Sequence, residues 1–278
     1  MSARNHWAPA IVGALVIAAR SAAGPFADAV VSYSAGTGAQ AGLGNPAAAL
    51  GAPSSVTVDP VWGNSAVEPF SPPYLDSQIV SIGTGGSLTL RFDTPIHNNS
   101  ANPFGIDFLI FGSSGFIITN GDYTGGGITD GSLFGANPGE TRVWVSADNV
   151  TYFELTPALA PVVDALFPTD GSGNFQKPVN PALTSGSFAG QNLAGIRALY
   201  DGSAGGTGYD LNWARDGFGE SVALSEVSYV RINVLDGRSE IDAIAAVPEP
   251  GAWALLLAGG GTMLFLRRRD RMAGKPTR

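Results

Sequence analysis

Thr141-Arg142-Val143-Trp144-Val145-Ser146-Ala147-Asp148-Asn149-Val150-Thr151-Tyr152-Phe153-Glu154-Leu155-Thr156 is the stretch whose reading decides the fold. Val143 and Val145 fall on one face of a two-residue period, with Arg142 and Trp144 on the other. That alternation is the signature of a half-buried strand. Asp148-Asn149 is a turn pair that tolerates positive φ. Tyr152 to Leu155 then returns, so the segment predicts a β-hairpin. Outward from it the same rhythm recurs. Ser87 to Asp93 places Leu88, Leu90 and Phe92 on one face. Ile106 to Phe111 is almost continuously apolar, as expected of a central strand covered on both sides. Val30 to Ser34 predicts an opening strand. Val227 to Val234 and Glu240 to Val247 predict a second pair around Asp236-Gly237. Many short strands separated by Gly, Asn and Asp turns predict an all-β, jelly-roll-like antiparallel β-sandwich.

Two segments break the rhythm. Ala35 to Val61 is rich in Gly, Ala and Pro, with one short helical turn expected near Pro46 to Leu50. Pro157 to Tyr209 has few periodic runs. A loop that long reads as an insertion over one end of the sandwich or as a binding loop.

Composition narrows the function classes. The 278 residues include 38 glycines, 19 prolines and no cysteine, with 44% hydrophobic and only 14% charged side chains. A coiled coil needs a charge-rich repeat and is excluded. The lack of cysteine excludes disulfides, thiolate catalysis and cysteine-based zinc sites. Seven basic and 20 acidic side chains lie between residues 30 and 247, a net near −13 against −8 for the whole chain. Such a surface repels phosphates, so nucleic acid is not an expected partner.

Both ends read as addresses and not as fold. Arg4, the apolar run Ala10 to Ala19, the helix breaker Pro25 and Ala27-Asp28-Ala29 form a secretory leader pattern, setting residues 1–29 as a signal peptide. Ser21-Ala22-Ala23 is a second small-residue cut site. At the other end Val247-Pro248-Glu249-Pro250 precedes an uncharged run over 251–266. Arg267, Arg268, Arg269 and Arg271 follow. Sixteen helical residues span about 24 Å, a little short of a ~30 Å hydrocarbon core; snorkelling and local thinning cover the difference. The arginines act as a membrane stop and keep the tail end cytoplasmic.

Pro248, Glu249 and Pro250, the apolar run and the arginine cluster together resemble the PEP-CTERM sorting signal of Gram-negative bacteria. The resemblance covers Val247 to about Arg271, within a sorting tail set at 247–278. It implies recognition and processing at Pro-Glu-Pro by an exosortase-type membrane protease, a transient single transmembrane helix, and delivery to the cell surface or extracellular polysaccharide. Between the two ends, residues 30–246 form the ectodomain. Val143 to Phe153, Ser228-Tyr229-Val230-Arg231-Ile232 and Glu240 to Ile244 resemble strands of galactose-binding-like (discoidin-type) jelly rolls. That resemblance implies a scaffold whose loops bind the ligand.

Signals for chemistry are sparse. His97, in a polar turn, has no G-x-S-x-G elbow to serve, and no glycine-rich phosphate loop occurs. Asp201, Asp210 and Asp216 bracket a glycine-rich loop that reads either as a structural calcium site or as a plain solvated loop. Glu240 and Asp242 share one face of a strand, as a surface carboxylate pair or part of a cation site. Trp62, Trp144, Trp213, Tyr74, Tyr123 and Tyr200 are aromatics that either stack on sugars or fill the layers of the sandwich. The expectation is a non-enzymatic surface or matrix protein with a structural, adhesive or weak glycan-binding role. The alternatives are a secreted carbohydrate-active hydrolase using a carboxylate pair, and an ice-binding protein.

Overall fold

A computed structural model describes residues 24–249 of the chain. Residues 1–23 of the signal peptide expected over 1–29, Pro250, the expected membrane run over 251–266 and Arg267, Arg268, Arg269 and Arg271 lie outside the described residues. Among the described residues no helix is long and apolar enough to cross a membrane.

The strands are β1 (Ala29–Ser34), β2 (Val56–Asp59), β3 (Gly63–Ala66), β4 (Val80–Gly83), β5 (Ser87–His97), β6 (Phe108–Gly112) and β7 (Gly115–Phe116) in the first half. After them come β8 (Leu133–Phe134), β9 (Glu140–Ser146), β10 (Phe153–Leu155), helix α1 (Leu193–Tyr200), β11 (Thr207–Tyr209), β12 (Ala214–Arg215), β13 (Glu226–Asp236) and β14 (Arg238–Ala246). Six strands form one sheet in the order β1-β5-β13-β9-β10-β12, and four form a second in the order β11-β6-β14-β4. Pairing is antiparallel in both. The ribbons β2–β3 and β7–β8 stand outside them.

One apolar core joins the sheets. Leu88, Leu90 and Phe92 of β5, Val143 and Val145 of β9 and Val230 and Ile232 of β13 meet Val80 and Ile82, Phe108 and Ile110, and Ile241 and Ile244 from the four-stranded sheet. This is a β-sandwich-like, all-β architecture. The alternating residues of the hairpin and of Ser87 to Asp93 point where their period predicted. The turn at Asp148-Asn149 places Asn149 at φ 61°, and Pro46–Ala49 forms the expected short helical turn, with Asn45 as its N-cap.

Two expectations are corrected. The segments around Asp236-Gly237 do not pair with each other. β13 bonds to β5 and β9, whereas β14 bonds to β4 and β6. Gly237, at φ 79°, turns the chain from one sheet into the other, so the connection is an arch over the core and not a hairpin. The insertion after Thr156 is also more structured than its composition predicted. It holds the eight-residue α1, whose N-cap Asn192 accepts from the Gly195 N–H. Its own core gathers Phe116, Val179, Phe188, Ile196 and Tyr200. Arg197 of α1 grips Asp170 through two hydrogen bonds, 2.6 and 3.0 Å long. Residues of the insertion cover the outer face of the four-stranded sheet, where Leu109, Phe111 and Ala245 pack with Ala204 and Phe175. β6 is thereby buried on both faces, as its unbroken apolar run requires.

Candidate functional site

The arch places β14 beside β6, and this brings Glu240 next to Ser113. Ile241 pairs with Gly112, so Ser113 follows directly from the end of β6. Its hydroxyl donates to Glu240 Oε2 at 2.7 Å. Arg238 Nε lies 3.2 Å from the other Glu240 oxygen. Beneath them Asp164 accepts the Ser114 N–H at 2.9 Å and the Glu240 N–H at 3.1 Å. Gly112 is required here, because a Cβ would stand 2.2 Å from Asp164 Oδ1. Burial pushes the Asp164 carboxyl up to about 7, against the pull of its backbone donors.

Above this polar floor opens a cleft of ≈ 400 Å³, walled by Phe70, Pro72, Pro73, Tyr74 and Phe134. Gly115 leaves room for the Phe134 ring, since a Cβ there would meet it at 2.6 Å. The Tyr74 hydroxyl donates to Asp59 Oδ2 at 2.5 Å, and Asp59 Oδ1 accepts the N–H groups of Val61 and Trp62. Hydrogen bonding from Tyr74, then from Trp62 and Val61, holds the Asp59 carboxyl below its ordinary value. One carboxylate thus ties the cleft wall to the tip of the β2–β3 ribbon, where Trp62 is 85% exposed. Apolar planes over a carboxylate and a hydroxyl can stack on a ring and accept its hydroxyl protons.

The structure separates the residues singled out from the sequence. Glu240 and Asp242 are both buried, which corrects the expected surface pair. Asp242 is engaged away from the cleft, accepting the N–H and the hydroxyl of Ser54, both at 2.8 Å. Asp201, Asp210 and Asp216, read as either a calcium site or a plain loop, each take separate partners. Asp201 ends α1 at φ 50° and pairs with Lys177 at 2.9 Å. Asp210 caps the turn over 211–213, and Asp216 caps its own loop through Phe218 and Glu220 N–H groups. Among the described residues no group of three or more acidic, histidine or cysteine side chains is placed to hold a metal ion. His97 ends β5 beside Glu226, at 3.3 Å. Of the aromatics, Tyr74 lines the cleft, Tyr200 is buried in the insertion and Trp213 packs against the main core. Tyr123 is 77% exposed. Trp144 is half-buried on the outer face of the six-stranded sheet.

Val247 donates its N–H to Asp107 O at 2.8 Å. Pro248 is half-buried and Glu249 exposed, one and two residues beyond Val247, which follows the last residue of β14, Ala246.

No protein-family model matches the chain, and no curated protein matches it significantly.

Proposed function

We propose that the chain is an exported, non-enzymatic surface or matrix protein of a Gram-negative cell. In this reading its jelly-roll-like sandwich binds a neutral glycan in the Ser113–Glu240 cleft, and its tail is the substrate of an exosortase-type membrane protease. The observation that carries the binding role is the aromatic and proline wall set over the Ser113–Glu240 pair. The acidic surface argues for a neutral polymer, because it repels anionic ones. The hydrolase alternative needs two carboxylates about 5–5.5 Å apart for retention, or about 6.5–9.5 Å for inversion. Glu240 is the carboxylate among the residues lining this cleft, and Asp164 below it is occupied by two backbone donors. Binding is therefore favoured over hydrolysis.

On a glycan array, residues 24–249 are expected to retain one class of neutral oligosaccharide, equally with calcium and with chelator. Glu240→Gln weakens a charge-assisted hydrogen bond worth about 1.5–3 kcal/mol, so affinity falls about tenfold or more. Tyr74→Ala removes a wall and lowers affinity in the same assay. Full retention by both variants removes the cleft from the reading.

The sorting role has its own test. Glu249 is exposed, so Glu249→Ala leaves the fold intact. In a host with an exosortase, full-length protein is expected to accumulate in the membrane fraction of this variant, while the parent loses its tail. Parent protein that keeps Arg278 in every fraction sinks the matrix-delivery reading.

A further inference from the structure

We infer that the export leader is removed at the Ala23–Gly24 bond, and that Pro25 to Asp28 belong to the mature domain. The inference rests on reading the N-terminus as a secretory leader. Two small-residue patterns compete for the cut, Ser21-Ala22-Ala23 and Ala27-Asp28-Ala29. Both place small residues at the two positions a leader peptidase reads, and the leader pattern sets the cut after Ala29, with the cut after Ala23 second.

The fold separates them. The Pro25 carbonyl accepts the Ala246 N–H at 2.6 Å, and Phe26 forms an antiparallel bridge with Ala245, so both pair with the C-terminal end of β14. Ala27 is 2% exposed within the main core, and its carbonyl accepts the Gly51 N–H at 3.0 Å. Asp28 donates its N–H to Arg91 O at 2.8 Å and accepts the Asp93 N–H at 2.7 Å. Ala29 already pairs with Arg91 in β1. Four consecutive residues thus clasp both sheets together. A cut after Ala29 would strip them away. It would leave the Ala246, Gly51 and Asp93 N–H groups without these partners and remove an apolar side chain from the core. A cut after Ala23 leaves every one of these contacts in place.

The bond that breaks is the Ala23–Gly24 amide. Water adds across it, leaving a carboxylate on Ala23 and an ammonium on Gly24. Gly24 lines the same ≈ 300 Å³ cavity as Pro248 and Glu249. The new positive terminus is therefore released beside the acidic residue of the sorting segment, and both processed ends leave the sandwich on one side.

The test is the N-terminal peptide mass of full-length protein expressed in a Gram-negative host, read in the exported fraction. A mature chain beginning at Gly24 is expected. A chain beginning at Val30 overturns the inference while leaving the leader reading intact. Exported protein that retains Met1 overturns the leader reading, and the inference with it. A second variant, Ala23→Arg, puts a long charged side chain at the position that must be small. It is expected to abolish the Gly24 product and to accumulate uncut precursor. Normal export of an Ala23→Arg protein beginning at Val30 overturns the inference as well.

Discussion

Acidifying the folded domain from pH 8 to pH 5 is expected to raise its melting temperature. Three buried carboxyls drive this. Burial pushes Asp107 up to about 6, and Asp164 and Asp242 each up to about 7. Each accepts hydrogen bonds that favour its charged form: Asp107 from Asn99, Asn102 and Leu211, and Asp242 from Ser54. Desolvation still outweighs these bonds. In the unfolded chain the same groups titrate near 4. Between about pH 4 and 7 the native state therefore binds more protons than the unfolded state, and stability falls as pH rises. The contribution is complete below pH 4 and lost as pH rises through 6 to 7. Loss of net negative charge on acidification acts in the same direction. Together the three groups contribute on the order of 3–6 kcal/mol between pH 8 and pH 5, or about 10 °C for a domain of this size. Asp170 sets the lower limit. Burial raises its carboxyl, but Arg197 and Ser172 outweigh that and leave it below the ordinary value. Its contribution is present above the unfolded value and lost as pH falls through the folded one. Maximum stability is thus expected near pH 4–5. Asp164→Asn and Asp242→Asn should each flatten the slope between pH 5 and 8. A melting temperature that drops steadily from pH 8 to pH 5 defeats this account.

The same carboxyls mark where sequence reasoning reached its limit. Alternation in Ser87 to Asp93 and in Thr141 to Thr156 was legible because each strand's inward face is set by its own residues. The unbroken run Ile106 to Phe111 was legible for a similar reason, since no polar residue interrupts either face. Glu240 and Asp242 misled, because charged residues at alternate positions normally mark a solvent face. Here they are covered by Ser54, Ser113 and Asp164 of the insertion, which lie 76 to 188 residues away in the chain. The cleft carried no local signal either. Ser113 sits in Gly112-Ser113-Ser114-Gly115, which reads as an ordinary turn, and its partner arrives only through strand pairing. Helix α1 was hidden by its shortness: eight residues, with Leu193, Ile196, Leu199 and Tyr200 at helical spacing, are too few to stand out from the surrounding Gly, Ser and Asn. The arch at Gly237 was the hardest case. Asp-Gly between two apolar alternating runs is the strongest short-range hairpin signal there is. What separates an arch from a hairpin is the partner each strand already has, and that information is not local.

Replacing Gly237 is therefore expected to damage the fold and the cleft together. At φ 79° any L side chain is strained, by about 1–2 kcal/mol for the left-handed region. A Cβ would also stand 2.1 Å from Asn137 Oδ1. Asn137 is the clasp of the arch. Its oxygen accepts the Gly139 N–H at 2.8 Å and the Arg238 N–H at 3.3 Å, and its amide donates to Ser239 Oγ at 3.0 Å. Displacing it leaves the buried Ser239 hydroxyl and the partly buried Gly139 and Arg238 N–H groups without these partners, each worth about 1 kcal/mol. Gly237→Val adds branching at the worst position, and the sum is about 3–5 kcal/mol, or about 10 °C of melting temperature. Leu235→Ala, nearby but 46% exposed, should change stability little. A double-mutant cycle separates strain from clash. With Asn137→Ala already present, Gly237→Ala should cost only the backbone strain, and less than it costs in the parent. If Gly237→Ala costs the same in both backgrounds, Asn137 does not clasp the arch. If it costs no more than Leu235→Ala, the chain does not turn between sheets there. In that case the placement of Glu240 beside Ser113 fails too, because β14 reaches β6 only by leaving the sheet of β13.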